Sequence, residues 1–315
     1  MKRLKKWIVP IVSIIALLLQ VVLKDDSSLQ TTKVDYYLYV SIAFVVISVV
    51  LSIVSYLNTG FGKKFEYVSP LYGGVIAFIS VINLLTNKFN VLPTIYFPSP
   101  TRIIGVLVED RSLILKCLAY SFRLLLVGFS LGAITGLATG IAIGFNKHIA
   151  YWVNPIVRVL GPIPSTAWIP LVLVVFPDTV SASSFIIAFA VWFPTTLMTS
   201  SGIQNVQNSF FEVSETLGAN TFYKIFKVAL PASMPSIFIG LFNGTCSAFI
   251  TLMTAELIGA KYGIGWYVNW QKEMMCYANV YAGLIVIAVT CSIIITVLFR
   301  VKDRLLVWQK GVIKW

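Results

Sequence analysis

Apolar residues run along this chain in eight long blocks separated by short polar or basic connectors. The blocks lie at about 7–23, 36–57, 67–87, 118–144, 155–176, 183–203, 236–258 and 281–300. Each is long enough, or nearly so, to cross about 30 Å of hydrocarbon as a helix. The pattern predicts an all-α polytopic membrane protein with about eight transmembrane helices.

Within the blocks, small and helix-breaking residues carry further information. Gly128, Gly132, Gly136, Gly140 and Gly144 recur every four positions. This spacing draws one slowly turning stripe along a helix, where another backbone can approach closely; a sliding surface for a conformational change is compatible with the same stripe. Pro155, Pro162, Pro164, Pro170 and Pro177 crowd one segment. Each interior proline frees a carbonyl that lipid cannot satisfy, so this segment is expected to be bent and enclosed by protein. Broken helices at membrane depth line substrate cavities in transporters.

Between two late blocks stands the polar passage "ETLGANTFYKIFKVALPASMP". Phe222, Ile225, Phe226 and Ala229 follow an i, i+3, i+4, i+7 pattern while Lys224 and Lys227 point elsewhere, as in a short amphipathic helix. Gly218 permits a sharp turn between two short helices, and Leu230-Pro231 is expected to end the second before the next span. A soluble partner could grip such an elbow.

Composition agrees with the membrane reading. The 315 residues are 58% hydrophobic and only 11% charged, against about 25% charge in ordinary soluble domains; mean hydropathy is +0.87. The net charge of +12 does not form a basic patch of the nucleic-acid kind. Lysine and arginine fall instead in connectors and at the ends, as topology requires. With a cytoplasmic N-terminus, the inner segments hold fourteen of the 24 and the outer segments eight, with Arg123 and Arg158 in or beside helices. Both termini, and the elbow, are thus expected inside. The basic head and apolar middle of residues 1–23 imitate a secretory signal, but no small-residue cleavage site follows, so an anchor helix is expected there.

Candidate chemistry is sparse. Arg123 and Glu256 sit in or near spans, where an unpaired charge costs about 2.5 to 3.5 kcal/mol at mid-bilayer. An ion pair between them, backbone capping, or contact of Arg123 with an anionic substrate are the open readings. His148 is the single histidine and has no metal-ligand spacing with any of the four cysteines. A Cys117–Cys276 disulfide is open to both residues near the outer face, though spacing does not establish it. There is no GxxxxGK[ST] loop and no Ser/His/Asp arrangement. No catalytic or metal-binding residue is expected, nor any cofactor in this chain.

The elbow "FEVSETLGANTFYKIFKVALPASMPSI" resembles the cytoplasmic loop of permease subunits of type I ATP-binding-cassette importers, whose signature opens Glu-Ala-Ala, places a Gly a few residues on and closes Leu-Pro. Glu212 stands at the Glu position, Gly218 at the Gly, and Leu230 and Pro231 at the close; Val213 and Ser214 replace the alanines. The segments "FPSPTRIIGVL", "SFRLLLVGFSLGAITGLATGIAIG", "NPIVRVLGPIPSTAWIPLVLVVF", "WFPTTLMTSSGIQNV" and "AELIGAKYGIGWYV" are similar, in order, to the nitrate, sulfonate and taurine permeases.

The resemblance implies an extra N-terminal hairpin over 1–66 and a six-helix permease core over 67–315, with the coupling loop at about 204–235. It implies a non-enzymatic subunit of the cell membrane that works with a second permease subunit, two cytoplasmic ATPases that bind ATP and Mg, and an extracytoplasmic substrate-binding protein, with no nucleic acid. The coupling residues would be Glu212, Glu215, Leu217, Gly218, Ala219, Phe222, Leu230 and Pro231. The translocation path would draw on Arg123, Pro164, Ser165, Thr166, Trp168, Thr195, Asn243, Thr251 and Glu256. The substrate would be a small anion such as a sulfonate, taurine or nitrate, although similar permeases serve heterocyclic vitamin precursors. A stand-alone secondary transporter or channel is the rival class; buried ionisable relays would favour it, and Arg123 and Glu256 are a thin supply.

Overall fold

A spanning backbone without water must satisfy every N–H and C=O internally, and the apolar blocks accordingly become helices. The computed structural model describes residues 6–23, 34–57 and 59–307 and contains no strand among them. Among the described residues six helices are long and apolar enough to cross a membrane, or seven if a bent pair counts as one span. Ile8–Val22 is a shorter apolar helix. The chain divides into two units, Met1–Ile114 with Trp270–Leu284, and Leu115–Asn269 with Ile285–Trp315.

In the first unit, α1 (Ile8–Val22) packs against α2 (Tyr36–Leu57) and α3 (Thr59–Asn83). The sequence boundary at 66 falls inside α3. A π-helical turn, Leu84–Lys88, extends α3, and α4 (Pro100–Glu109) follows, capped by Ser99 with Pro100 in its first turn. The interior of this bundle is polar at many points. Ser41, Ser48, Ser52 and Ser55 lie buried along α2, and the Ser52 hydroxyl donates to the Lys6 carbonyl at 2.8 Å. Near the opposite end, Gln20 donates to Asp35 and accepts from Asn83, both at 2.6 Å. Such bonds knit helices where lipid supplies no hydrophobic drive for association.

The second unit is built on α5 (Arg111–Phe145), most of which it contains, α8 (Thr179–Gln204) and α11 (Leu230–Gly259). The glycine stripe of α5 meets α8 along its whole length. A Cβ on Gly128 would lie 2.6 Å from Ile187 Cβ, on Gly136 2.8 Å from Thr195 Cβ, and on Gly140 2.6 Å from Thr199 Cβ. The close helix contact expected from the spacing is therefore present. Leu125, Ala133, Ile187, Val191, Ala248, Phe249 and Leu252 form the core where α5, α8 and α11 meet.

The proline-rich segment is not one straight span. Helix α6 (Lys147–Leu160), capped by the Asn146 carboxamide, gives way to a 3-10 turn at Ser165–Trp168 and then α7 (Ile169–Val175), and the two arms are bent by 87°. Helix α8 restarts after Asp178, whose carboxylate accepts from the Ser181 N–H at 2.8 Å. After α8 come the elbow helices α9 (Asn208–Thr216) and α10 (Thr221–Tyr223), a π-helical stretch at Lys224–Ala229, then α11, α12 (Ile264–Glu273) and α13 (Tyr277–Leu305).

Here the expected helix end at Leu230-Pro231 is overturned. Helical backbone runs from Thr221 to Ile258. Pro231 stands in the first turn of α11, where a missing N–H is tolerated, and the widened π-helical register just before it changes which carbonyl would face the ring.

Candidate functional site

The elbow is shaped by one left-handed residue. Gly218 has φ +79°. Its N–H donates to the Glu215 carbonyl and the Ala219 N–H to the Ser214 carbonyl, both at 2.9 Å, the paired bonds of a glycine-terminated helix end. The next helix is capped by Asn220, whose side chain accepts from the Tyr223 N–H at 2.8 Å. Lys224 reaches back to Glu215 at 2.6 Å and braces the two arms. Ser214 is buried and donates to the Phe211 carbonyl at 2.7 Å, while Phe211 packs edge-on against Phe145 of α5. The elbow is thus anchored on one side and open on the other. Leu217 is 82% and Phe222 68% exposed, with Phe222 packed on Phe226 at 4.4 Å between ring centres. Glu212 is exposed, Ala219 partly covered, and Leu230 and Pro231 half-buried where α11 begins.

The broken segment lines a cavity of about 360 Å³ in the second unit. Pro164, Ser165 and Thr166 from the bend meet Thr251 of α11 there, and the Ser165 and Thr251 hydroxyls lie 2.8 Å apart. Gly161, Phe193 and Ser247 also line it; a helical projection of Ser247, one turn before Thr251, is the signal that would have found it. The wall offers hydroxyls and aromatic edges, and no charged side chain among the described residues. Trp168 lies beside it, edge-on to Phe189, with its buried indole N–H unpartnered among the described residues. Two expected path residues are elsewhere. Thr195 is wholly buried against the glycine stripe, and Asn243 is exposed on α11.

Arg123 and Glu256 line a second cavity of about 520 Å³ with Tyr120, Ser183, Lys261 and Tyr262. Among the described residues they form no ion pair. Glu256, 1% exposed, accepts from the Ser121 hydroxyl at 2.6 Å and from the Gly265 N–H at 2.8 Å. Ser121 in turn accepts from the Ile264 N–H at 2.9 Å. One carboxylate thereby ties α5 to the first turn of α12. Gly263, at φ +146°, leaves the room: a Cβ there would lie 2.6 Å from Glu256 Oε1. Arg123 is exposed to the cavity, and nearby Lys116 sits 4.1 Å over the Tyr262 ring, which also packs on Tyr120 and Trp266. Ser121, Lys261 and Tyr262 were not singled out from sequence. At the α8 end, hydrogen bonds from the Ser181 hydroxyl and N–H hold the Asp178 carboxyl below the usual carboxylate range. All four cysteines are free, Cys117 buried and Cys276 exposed.

A family model described as binding-protein-dependent transport system inner membrane component matches residues 128–306. The chain is 31% identical over 185 residues to the putative aliphatic sulfonates transport permease protein SsuC of Bacillus subtilis (strain 168), covering 59% of this chain and 67% of that protein. It is 30% identical over 173 residues to the nitrate import permease protein NrtB of Leptolyngbya laminosa, covering 53% and 62%. It is 26% identical over 244 residues to the taurine transport system permease protein TauC of Escherichia coli (strain K12), covering 75% and 88%. Among solved structures, an inward-facing conformation of the MetNI methionine ABC transporter aligns with TM-score 0.54 at 17% identity, over 62% of this chain and 98% of that one. This last likeness is one of fold.

Proposed function

The chain belongs to the family of binding-protein-dependent transport system inner membrane components, and from that premise we propose that it forms the substrate path of an ATP-driven importer and couples it to a cytoplasmic ATPase through the elbow at Gly218. The observation that carries this reading is the elbow itself. Leu217 and Phe222 stand out from a turn that two backbone bonds, an asparagine cap and the Glu215–Lys224 bridge hold in one shape. A rigid apolar knob on a continuous helix, Thr221 to Ile258, suits the transmission of rigid-body motion from a soluble domain.

Around this core we place a second permease subunit, two ATPases that bind ATP and Mg, and a binding protein at the outer mouth. Both termini and the elbow face the cytoplasm, in keeping with the excess of lysine and arginine on that side. The substrate class is a small anion of the sulfonate, taurine or nitrate kind. Arg123 and Lys261 on one cavity, Lys116 over its Tyr262 ring, and the substrates for which the relatives are named support it. In the path, Ser165, Thr166 and Thr251 offer hydroxyl donors without a fixed charge that would trap the anion.

Reconstitution into vesicles tests the proposal. Uptake of a labelled sulfonate is expected only when the ATPase, the binding protein and ATP are all supplied. Full-rate uptake by this chain alone would overturn the reading and favour a stand-alone transporter.

A further inference from the structure

Helices α1 to α3 lie outside the segment matched by the family model, residues 128–306. Helices α2 and α3, together with Val9 of α1, line a groove of about 520 Å³. Its walls include Phe44, Ile47 and Leu51 on α2 and Phe61, Phe65 and Val68 on α3. These positions repeat at three, four and seven on each helix, so each presents one apolar face to the groove. From Lys64 to Ile79, both of which line it, the groove runs about 22 Å along α3 at 1.5 Å per residue. That exceeds the roughly 15 Å of hydrocarbon in one leaflet.

Its rim is cationic. Lys64 lines the groove mouth, Lys63 is exposed beside it, and among the described residues neither forms an ion pair. Lys6 joins them: its ammonium donates to the Ser55 carbonyl at 3.0 Å and lies where a Cβ on Gly62 would come within 2.8 Å. Glu66, half-buried on α3, is the one carboxylate near this rim among the described residues. At the same end the Trp7 indole N–H donates to the Tyr56 hydroxyl at 3.0 Å, an amphipathic aromatic pair of the kind that sits at headgroup level.

We propose that this groove holds an acyl chain of an anionic glycerophospholipid, with its headgroup phosphate on Lys64, Lys63 and Lys6. An apolar slot longer than a leaflet's hydrocarbon, an aromatic pair at the interface and clustered ammonium groups at one end meet the three parts of such a lipid in order. A transmembrane helix fits less well. The walls are Phe, Ile, Leu and Val rather than the small residues that let helices approach, as they do along the α5 stripe, and a second copy aligned the same way would bring its own lysines to the same depth. The site would tie the first unit to the acidic inner leaflet.

Native mass spectrometry of the full chain, purified from a mixture of dioleoyl phosphatidylglycerol and dioleoyl phosphatidylcholine, tests this. The expected result is preferential retention of one phosphatidylglycerol. In Lys63→Gln/Lys64→Gln, at exposed positions that leave the fold intact, the preference is expected to fall about fivefold per lysine. Ile76→Trp, which fills the groove, is expected to reduce retention of both lipids. Equal retention of the two lipids by the unaltered chain, or an unchanged preference in the double lysine variant, overturns the proposal. So does efficient cross-linking between copies through Ile47→Cys in the membrane, which would place a helix in the groove.

Discussion

Replacing Gly218 isolates what the elbow contributes, because two possible effects separate there. The residue lies at φ +79° with nothing within 4 Å of where a Cβ would be. A side chain therefore meets no steric obstacle within the chain, and its cost is confined to the backbone. For an ordinary L-residue in this region the cost is about 1 to 2 kcal/mol, which lowers the population of the native turn relative to its alternatives by about 5- to 30-fold. Valine, branched at Cβ, stands at the upper end of that range, while asparagine tolerates the left-handed region. Gly218→Val should accordingly reach the membrane in normal amount, because α9 and the long helix from Thr221 persist, yet lose at least about fivefold in ATPase co-purification and ATP-driven uptake. Gly218→Asn should retain most of both. If valine couples normally, the turn is not what the ATPase reads. If asparagine fails as badly as valine, the partner requires a bare backbone at this point, and the conformational argument is wrong.

Four further outcomes follow from the geometry. Gly136→Ala places a methyl group 2.8 Å from Thr195 Cβ and 3.0 Å from the Trp192 carbonyl, so thermal denaturation in detergent should show a loss of about 1 to 3 kcal/mol, whereas Gly74→Ala, with nothing within 4 Å, should be near neutral. Glu256→Ala removes the acceptor of the Ser121 and Gly265 bonds and orphans the buried Gly265 N–H, at about 1 to 3 kcal/mol; faster proteolysis in the 260–265 loop should reveal it, with Glu256→Gln the milder change. The Asp178 carboxyl titrates below its ordinary range when folded, so its contribution is present above that range and lost as pH falls through the depressed value. The stability gap between the unaltered chain and Asp178→Asn should therefore shift as pH falls from about 6 to about 3, and a constant gap would count against the cap. Arg123→Ala should impair uptake more than assembly, and normal uptake at ordinary expression would remove Arg123 from the path.

What the sequence disclosed follows from what each residue senses. Hydropathy reports hydrocarbon depth, so seven of the eight blocks appear as helices and the proline-rich one as a bent pair, but their ends are set by caps and by the backbone ladder. Thus α5 begins at Arg111 and α3 at Thr59, seven and eight residues before their apolar blocks. Gly218 was legible because one glycine between two polar helices leaves little else for it to do. The π-helical register before Pro231 was not, because widening a turn leaves no mark in composition. Hydroxyl residues were the least legible: Thr195 and Thr251 read alike in a span, yet Thr195 packs against Gly136 while Thr251 lines a cavity. The distinction was nevertheless present in spacing. Ile187, Val191, Thr195, Thr199 and Ile203 recur every four residues on α8 and meet Gly128, Gly132, Gly136, Gly140 and Gly144 in the same order. Two stripes of equal pitch, one bare and one β-branched, specify a helix pair, and any residue on either stripe is committed to that contact. On α11, Ser247 and Thr251 lie four residues apart as well, but the surface they meet is the bend at 161–166, where the backbone leaves the helix and no matching stripe can form. The hydroxyls left facing a cavity are those at the break.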